Sequence, residues 1–364
     1  MTRSTLPAAP TDPDTRTAPP DDGPPSVALT RSRRRIVGMA IWAVALAAGC
    51  VLVGLPTDPM YAFGWLWLAT IAWNSDQPWR SHLRFIRDWS PLVVQLVVYN
   101  ISRGYADNGA IAHVHPMIDA DTSMWGWATG GTSPTVWLQN HFYDPAHVHW
   151  WDVAVSAVYL SHFLTAPIIA VVLWLRHRAV SSAFMRRWVT LFAAGLLTYF
   201  LYPAAPPWWA SVHGLIDPVA RISTRGWAAI GLHSAGNLLN AAQVQTANPI
   251  AAMPSLHTAF ATLCAGFFIP RVRARWRPLL TCYPLAMAAT LVYSGEHWVI
   301  DTLIGIGYAV AVLLAVTGLE RLAHRHLDRG RRPGHADDGR ADIGAPDVAA
   351  FGDEHATARS GEAG

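Results

Sequence analysis

Long apolar stretches alternate with short arginine-bearing segments along most of this chain. An α-helix needs about 20 consecutive apolar residues to cross a bilayer. The pattern predicts eight helical stretches, near 36–55, 60–74, 89–103, 150–175, 187–203, 255–270, 278–294 and 297–319. The first, fourth and eighth are strong candidates for membrane spans, whereas the second and third are short enough to be tilted, re-entrant or interfacial. We therefore predict an all-α polytopic transmembrane bundle, with about six core spans and one or two extra N-terminal spans.

The two ends of the chain have a different composition. Residues 1–30 are rich in Pro, Asp and Thr, and residues 328–364 are rich in Gly, Asp, Ala and Arg. Neither segment has an apolar period, so we expect both to be disordered tails. The predicted membrane domain is 31–327.

The positions of the arginines predict the orientation in the membrane. Only 14% of the residues are charged, against roughly 25% in a soluble domain. Every second connection between the predicted spans carries a cluster of arginines, and such clusters mark the cytoplasmic side. The clusters are Arg31, Arg33, Arg34 and Arg35; Arg80, Arg84 and Arg87; Arg176, Arg178, Arg186 and Arg187; Arg271, Arg273, Arg275 and Arg277; and Arg321 and Arg325. We expect a multi-pass protein of the cell membrane with both termini in the cytoplasm.

Two histidines lie where apolar runs begin on the predicted outer side. His257 ends the stretch Ala-Met-Pro-Ser-Leu-His, and His297 lies in Ser-Gly-Glu-His-Trp-Val-Ile-Asp, which ends at Asp301. Positions four apart share a helix face, so we expect Asp301 to reach the ring of His297. A histidine oriented by a carboxylate, with a second histidine available, is the minimum set for attack on phosphorus and protonation of the leaving group.

The two motifs resemble the second and third signature motifs of the type 2 phosphatidic acid phosphatase superfamily, and more closely those of its inositol phosphorylceramide synthase-like branch. In that branch the second motif ends Pro-Ser-Leu-His, and the third is a His-aromatic-x-x-Asp run without an upstream Arg. The segments at 202–208, Tyr-Pro-Ala-Ala-Pro-Pro-Trp, and at 159–163, Tyr-Leu-Ser-His-Phe, are also similar to that branch. The resemblance covers roughly residues 85–320, the predicted catalytic core.

The resemblance implies a role for each residue of the motif pair. His297 is the nucleophile that takes the phosphoryl group, Asp301 orients it and stabilises its charge, and His257 protonates the departing oxygen. The scheme needs no metal and no other cofactor. Cys50, Cys264 and Cys282 all lie in apolar runs, with no spacing typical of disulfides or metal ligands.

The group that holds the phosphate is less clearly marked. The superfamily's first motif supplies Lys and Arg, but this chain has no lysine and no matching Arg-Pro pair on the predicted outer side. The candidates are Arg103, Arg225 and Arg221, in that order of preference, together with Ser255 and His162. Arg103 follows an apolar stretch and is close to Asp107 in sequence, so an interfacial ion pair is the alternative role for it.

Two loops are predicted on the outer side, residues 104–149 and 204–254, and the first contains histidines in alternating pairs. His113, His115, His147 and His149 have no third ligand at a defined spacing, so we expect them to face water or lipid headgroups rather than a metal.

The predicted function is phosphoryl transfer on a membrane lipid at the outer face, through a phosphohistidine. With water as acceptor, the enzyme is a phosphatase of phosphatidate or of a polyprenyl phosphate or diphosphate. With an alcohol, it is a headgroup transferase of the inositol phosphorylceramide synthase type. The competing class is a proton-coupled transporter, but the ionisable groups cluster at one end of the spans rather than along them. The expected partners are the bilayer and a lipid substrate, with no nucleic acid, and the oligomeric state is left open.

Overall fold

The computed structural model describes residues 25–52, 59–107, 111–232, 236–237, 239–241 and 248–331. These residues form helices joined by loops, with isolated bridges but no extended strand, so the all-α prediction is confirmed. Of the predicted tails, only residues 25–30 and 328–331 are described, and these are helical. The chain divides into two compact units, Met1–Leu319 and Glu320–Gly364, and the site described below belongs wholly to the first.

Each of the eight predicted apolar stretches lies on an α-helix, although the first and third helices begin about ten residues earlier than predicted, and three shorter helices lie in segments predicted as loops. The α-helices are α1 Pro25–Leu52, α2 Pro59–Trp73, α3 Trp79–Asp107, α4 His115–Thr129, α5 Pro134–Phe142, α6 Trp150–Arg176, α7 Arg178–Leu201, α8 Pro207–Val212, α9 Leu256–Phe268, α10 Arg277–Tyr293 and α11 Val299–Arg331. A short 3₁₀ helix at Arg225–Ile230 packs against the start of α6. Among the described helices, those long and apolar enough to span a membrane are Ser32–Leu52, Trp150–Arg176 and Val299–Leu327. They correspond to the first, fourth and eighth predicted spans and confirm those three predictions.

An aromatic core joins α3, α6, α7, α9 and α11. Trp89 of α3, Phe184 of α7 and Leu263 of α9 are almost completely buried in it. Helix α1 packs along α2 instead and leaves Ile41 and Val44 exposed, as expected of side chains that face lipid.

The proline segment predicted at 202–208 links two distant parts of the chain. The amide of Ala205 donates to the carbonyl of His113 at 3.1 Å, and the amide of Ala204 donates to the carbonyl of Ile250 at 2.9 Å. The indole nitrogen of Trp298 also donates to the carbonyl of Ala205, at 2.8 Å. These bonds join the segment before the helix His115–Thr129 to the segments that carry both histidine motifs.

Helix α11 approaches the start of α9 very closely. The amide of Ser255 donates to the carbonyl of Asp301 at 3.0 Å. One turn further along α11, a Cβ atom at Gly305 would lie 2.5 Å from the carbonyl oxygen of Ser255. Only glycine permits this approach, which fixes the first turns of the two helices against each other.

Candidate active site

His297 and Asp301 meet as predicted, but not on a common helical face. Helix α11 begins at Val299, so His297 and Trp298 precede it. Oδ2 of Asp301 accepts the amide of Trp298 at 3.0 Å and lies 3.5 Å from Nδ1 of His297. A carboxylate in the first turn turns back to cap the helix, and this turn, rather than helical periodicity, brings Asp301 to the ring.

A glycine turn sets the position of His297. Gly295 has φ +78°, in the left-handed region, and a Cβ there would lie 2.8 Å from Cγ1 of Val219. Its carbonyl accepts the amide of Trp208 at 3.1 Å. The chain can therefore turn sharply between α10 and His297 only because residue 295 has no side chain.

His257 lies on the first turn of α9 and faces the His297 ring. The two ring centres are 5.5 Å apart, with the planes at 63°. The motif before α9 is held by Tyr199, whose hydroxyl donates to the carbonyl of Pro254 at 2.9 Å. Nε2 of His257 and Oδ1 of Asp301 are buried and have no hydrogen-bond partner among the described residues. These polar atoms are therefore available to a substrate.

His162 of α6, one of the candidates for holding the phosphate, also lies in this cluster. Its ring centre is 4.0 Å from that of His257, and Phe260 packs on its other side at 5.8 Å. Ser255 has a different place: its side chain is fully buried and caps α9, with Oγ accepting the amide of Thr258 at 3.4 Å. The serine thus acts through the helix it caps.

Arg221 is held by Glu296, the residue before His297, which the sequence analysis did not single out. Nε and Nη2 of Arg221 donate to the two carboxylate oxygens at 2.9 and 3.0 Å. The hydroxyl of Ser223 donates to the same carboxylate at 2.7 Å. Burial disfavours the charge on Arg221, but the Glu296 carboxylate outweighs that effect and raises the pKa of the guanidinium. Arg221 is also near enough to His257 for the guanidinium charge to repel a positive charge on that ring.

The other two arginine candidates differ from Arg221. Arg225 donates through Nη2 to the carbonyls of Asp144 and of His147, the latter at 2.7 Å, and its guanidinium lies 4.7 Å from the centre of the Tyr143 ring. It therefore fixes the loop before α6. The backbone of Arg103 lies in α3, but its side chain is outside the described residues.

Asp121 on α4 is a second carboxylate at the start of α11. Its Oδ2 accepts the amide of Val299 and its Oδ1 that of Ile300, both at 2.9 Å, and its side chain is fully buried. Burial raises the pKa of Asp121 from 3.8 to about 6, against the lowering effect of the two amides, and the charge of Asp301 adds to the rise. No sequence pattern signals this contact, because the two partners of Asp121 are 178 and 179 residues away.

The histidines of the outer loop have separate surroundings. His113 stacks on Tyr202 with ring centres 4.0 Å apart, and His147 contacts Asp144 at 3.0 Å. In the part of the chain that the structure describes, no three His, Cys, Asp or Glu side chains are grouped so that they could hold a metal ion.

Comparison with known proteins agrees with this arrangement. Residues 123–315 match the family model of the PAP2 superfamily, the type 2 phosphatidic acid phosphatases, and this is more than half of the 364-residue chain. The chain therefore belongs to the PAP2 superfamily, and the described residues include three helices long and apolar enough to cross a membrane. The resemblance seen in the sequence is confirmed.

One curated relative is similar to a large part of the chain. It is a phosphoinositol dihydroceramide synthase of Bacteroides thetaiotaomicron, 28% identical over 174 residues. The matched part is 45% of this chain and 55% of that protein, so the chain spans about half the length of the relative. No solved structure matches the chain.

Proposed function

We propose that this enzyme moves a phosphorylated group from a membrane lipid to an acceptor through a phosphohistidine at His297. The observation that carries the proposal is that the His297–Asp301 pair faces His257: the ring centres of the two histidines are 5.5 Å apart. Asp301 approaches Nδ1 of His297, so Nε2 is the nitrogen that can attack phosphorus.

The reaction takes two steps. Nε2 of His297 forms a bond to phosphorus while the bond from phosphorus to the lipid oxygen breaks, and protonated His257 gives its proton to that oxygen. Water or an alcohol then attacks phosphorus, the phosphorus–nitrogen bond breaks, and the acceptor's proton passes to His257. Asp301 stabilises the positive charge that develops on the His297 ring in the first step.

Arg221 is the side chain we assign to hold the phosphate. Its Nε and Nη2 face Glu296, which leaves Nη1 for a phosphoryl oxygen. A guanidinium fixed in this way is already oriented for a planar grip on phosphate. Arg225 instead donates through Nη2 to backbone carbonyls of its own loop, and its Nη1 is buried with no hydrogen-bond partner among the described residues.

The acceptor defines two candidate activities. The relative's name is that of a synthase, and the Pro-Ser-Leu-His form of the second motif points the same way, so a headgroup transferase is the finer assignment. We place the reaction at the outer face because the arginine clusters lie in the opposite connections. A lipid phosphatase uses the same residues, with water as acceptor.

The test uses purified full-length protein in lipid–detergent micelles with phosphorus-labelled lipids. Labelled phosphatidate reports phosphatase activity, and labelled phosphatidylinositol with or without dihydroceramide reports transfer. Acid-labile, base-stable label on the protein reports phosphohistidine. We expect His297→Ala to lose all three signals, whereas His141→Ala, an exposed outer-loop histidine, retains them. Full activity in His297→Ala would exclude the mechanism, and movement of intact lipid across a bilayer without bond cleavage would favour the transporter.

A further inference from the structure

The first turn of α11 carries more amide groups than its own sequence can satisfy. The initial amides of an α-helix have no acceptor within the helix. A capping residue normally supplies one, but Trp298 precedes α11 and its indole nitrogen is only a donor. Asp301 accepts the amide of Trp298, and the next two amides, of Val299 and Ile300, go to the two oxygens of Asp121.

We propose that Asp121 is a positioning residue for the reaction: its carboxylate fixes the start of α11 and thereby the geometry of the His297–Asp301 pair. The inference rests on the proposed function, because it takes His297 as the nucleophile. His297 lies outside the helix, and its amide bonds backwards to the carbonyl of Leu291 at 3.2 Å. In the other chain direction, the position of the His297 ring depends on the three residues that follow His297.

The contact between Asp121 and the start of α11 is both rigid and specific for a carboxylate. Val114 and Met117, which flank the start of α4, pack in one buried cluster with Trp298, so Asp121 is carried on a helix that already contacts the segment it caps. Two adjacent amides need two acceptor atoms at one side chain. A carboxylate provides both, whereas the amide of asparagine provides one acceptor and would oppose the second N–H with another donor.

A stability role alone does not account for the choice of residue. Burying a carboxylate completely costs free energy, and Asp301 places a second carboxylate on the same turn. Serine, threonine or asparagine caps a helix without that cost. The geometry therefore points to a requirement for two fixed oxygens at this turn.

The experiment compares two buried capping carboxylates. Asp152 accepts the amide of His149 at 2.9 Å ahead of α6 and the hydroxyl of Tyr293 at 3.0 Å, and it is as deeply buried as Asp121. Asp121→Asn and Asp152→Asn are purified as full-length proteins, with the exposed Asp119→Asn as a surface control on α4. For each we measure the melting temperature, kcat, KM and the rate at which label accumulates on His297.

We expect Asp121→Asn to lower kcat and the phosphorylation rate on the order of 10²-fold, with KM changed less than about threefold, because the nucleophile is displaced while the substrate still binds. Asp152→Asn should lower the melting temperature and leave kcat per folded molecule unchanged. Equal kcat in the two variants would overturn the inference. If Asp121→Asn does not fold, Asp121→Ser, which is smaller and keeps one acceptor, replaces it. Failure of both to fold would make Asp121 purely structural and also overturn it.

The same series separates this inference from the proposed function. An active His297→Ala protein would remove the nucleophile and the inference together. An inactive His297→Ala protein with parental kcat in Asp121→Asn would leave the proposed function standing and overturn only the role of Asp121.

Discussion

Nδ1 of His297 lies 3.5 Å from Oδ2 of Asp301, the same oxygen that accepts the backbone amide of Trp298. One carboxylate oxygen therefore faces both the imidazole ring and the helix start. The distance to the ring is an ion-pair distance and is longer than an ordinary N–H···O hydrogen bond. Such contacts in catalytic sites often tighten when substrate binds. Asp301 thus combines a structural contact with an electrostatic one, and the two can be tested separately.

Asp301→Asn should separate these two contacts. The amide oxygen can still cap Trp298, so we expect the protein to fold and insert normally. It carries no charge to stabilise the imidazolium, so kcat should fall on the order of 10²–10⁴-fold. Steady-state kinetics beside a melting curve measure both properties. Parental kcat in a well-folded variant would show that Asp301 is only structural.

His257→Ala should be sensitive to the leaving group. General acid catalysis contributes roughly 10²–10⁴-fold when the departing oxygen needs a proton, and much less when it leaves readily as an anion. We therefore expect His257→Ala to lose turnover of the natural lipid but to form phosphohistidine from a 4-nitrophenyl phosphate ester at a near-parental rate. His297→Ala should react with neither substrate. A uniform loss in His257→Ala with both substrates would argue against a proton-donor role.

Arg221→Ala should lower kcat/KM. If Arg221 contacts the substrate phosphate in a desolvated site, the loss should correspond to about 2–5 kcal/mol of transition-state binding. Arg221→Lys should recover only part of this, because an ammonium cannot bond to Glu296 and a phosphate in the same planar arrangement. Arg225→Ala is the matched comparison: it should lower the melting temperature and leave kcat/KM within about tenfold of the parent. A larger loss in Arg103→Ala than in Arg221→Ala would assign the phosphate to α3 instead.

The buried Asp121 predicts a pH effect on stability. Its pKa is raised from 3.8 to about 6, mainly by burial, so the folded protein binds this proton more tightly than the unfolded chain does. The sign follows from linkage: this contribution to the free energy of unfolding is largest below pH 4, falls as the pH rises to about 6 and is constant above. Over this range the free energy of unfolding falls by roughly 3 kcal/mol, because the pKa of Asp121 differs by about two between the folded and unfolded states.

Melting curves from pH 4 to 7.5 for the parent and for Asp121→Asn give the measurement. Other titrating groups are common to the two proteins, so the difference between the curves isolates Asp121. Relative to the parent, the variant should gain stability as the pH rises from about 4 to about 6. A difference that does not change with pH would mean that Asp121 titrates at the same pH in both states.

Sidedness can be tested with introduced cysteines. His213 lies in the second predicted outer loop, residues 204–254, and Ala274 lies between the sixth and seventh predicted spans; both are exposed. In a background without Cys50, Cys264 and Cys282, a membrane-impermeant thiol reagent applied to intact cells should label His213→Cys but not Ala274→Cys. Labelling of both after the cells are opened is the control. The reverse pattern in intact cells would place the reaction at the cytoplasmic face.

The predictable part of the site is the part encoded over short distances. His297 and Asp301 are four residues apart, and His257 follows a capping serine, so both motifs could be found from the sequence alone. Even there the structural reason differed, because α11 begins only at Val299. The helices themselves follow from apolar runs that the bilayer requires.

Contacts across the fold could not be found in this way. Glu296 is 75 residues from Arg221, and Asp121 is 178 residues from Val299. Nothing near either carboxylate in the sequence identifies its partner, which depends on how the outer loop folds over the helix ends. For Arg225 the sequence was misleading in the opposite way. It has the charge expected of a phosphate ligand and lies on the predicted side, but its guanidinium bonds to a carbonyl of the loop before α6.

Gly305 has only a hydrogen atom as its side chain, and this allows α11 to contact the backbone just before α9. Because α11 contacts the carbonyl of Ser255, a backbone contact sets the spacing between the first turns of α9 and α11, which lie next to His257 and His297. A bulkier electrophile therefore cannot be accommodated by spreading the two histidines apart. Variation in substrate among enzymes built on this plan is expected at the rim, in the outer loop, while the distance across the reacting phosphorus stays constant.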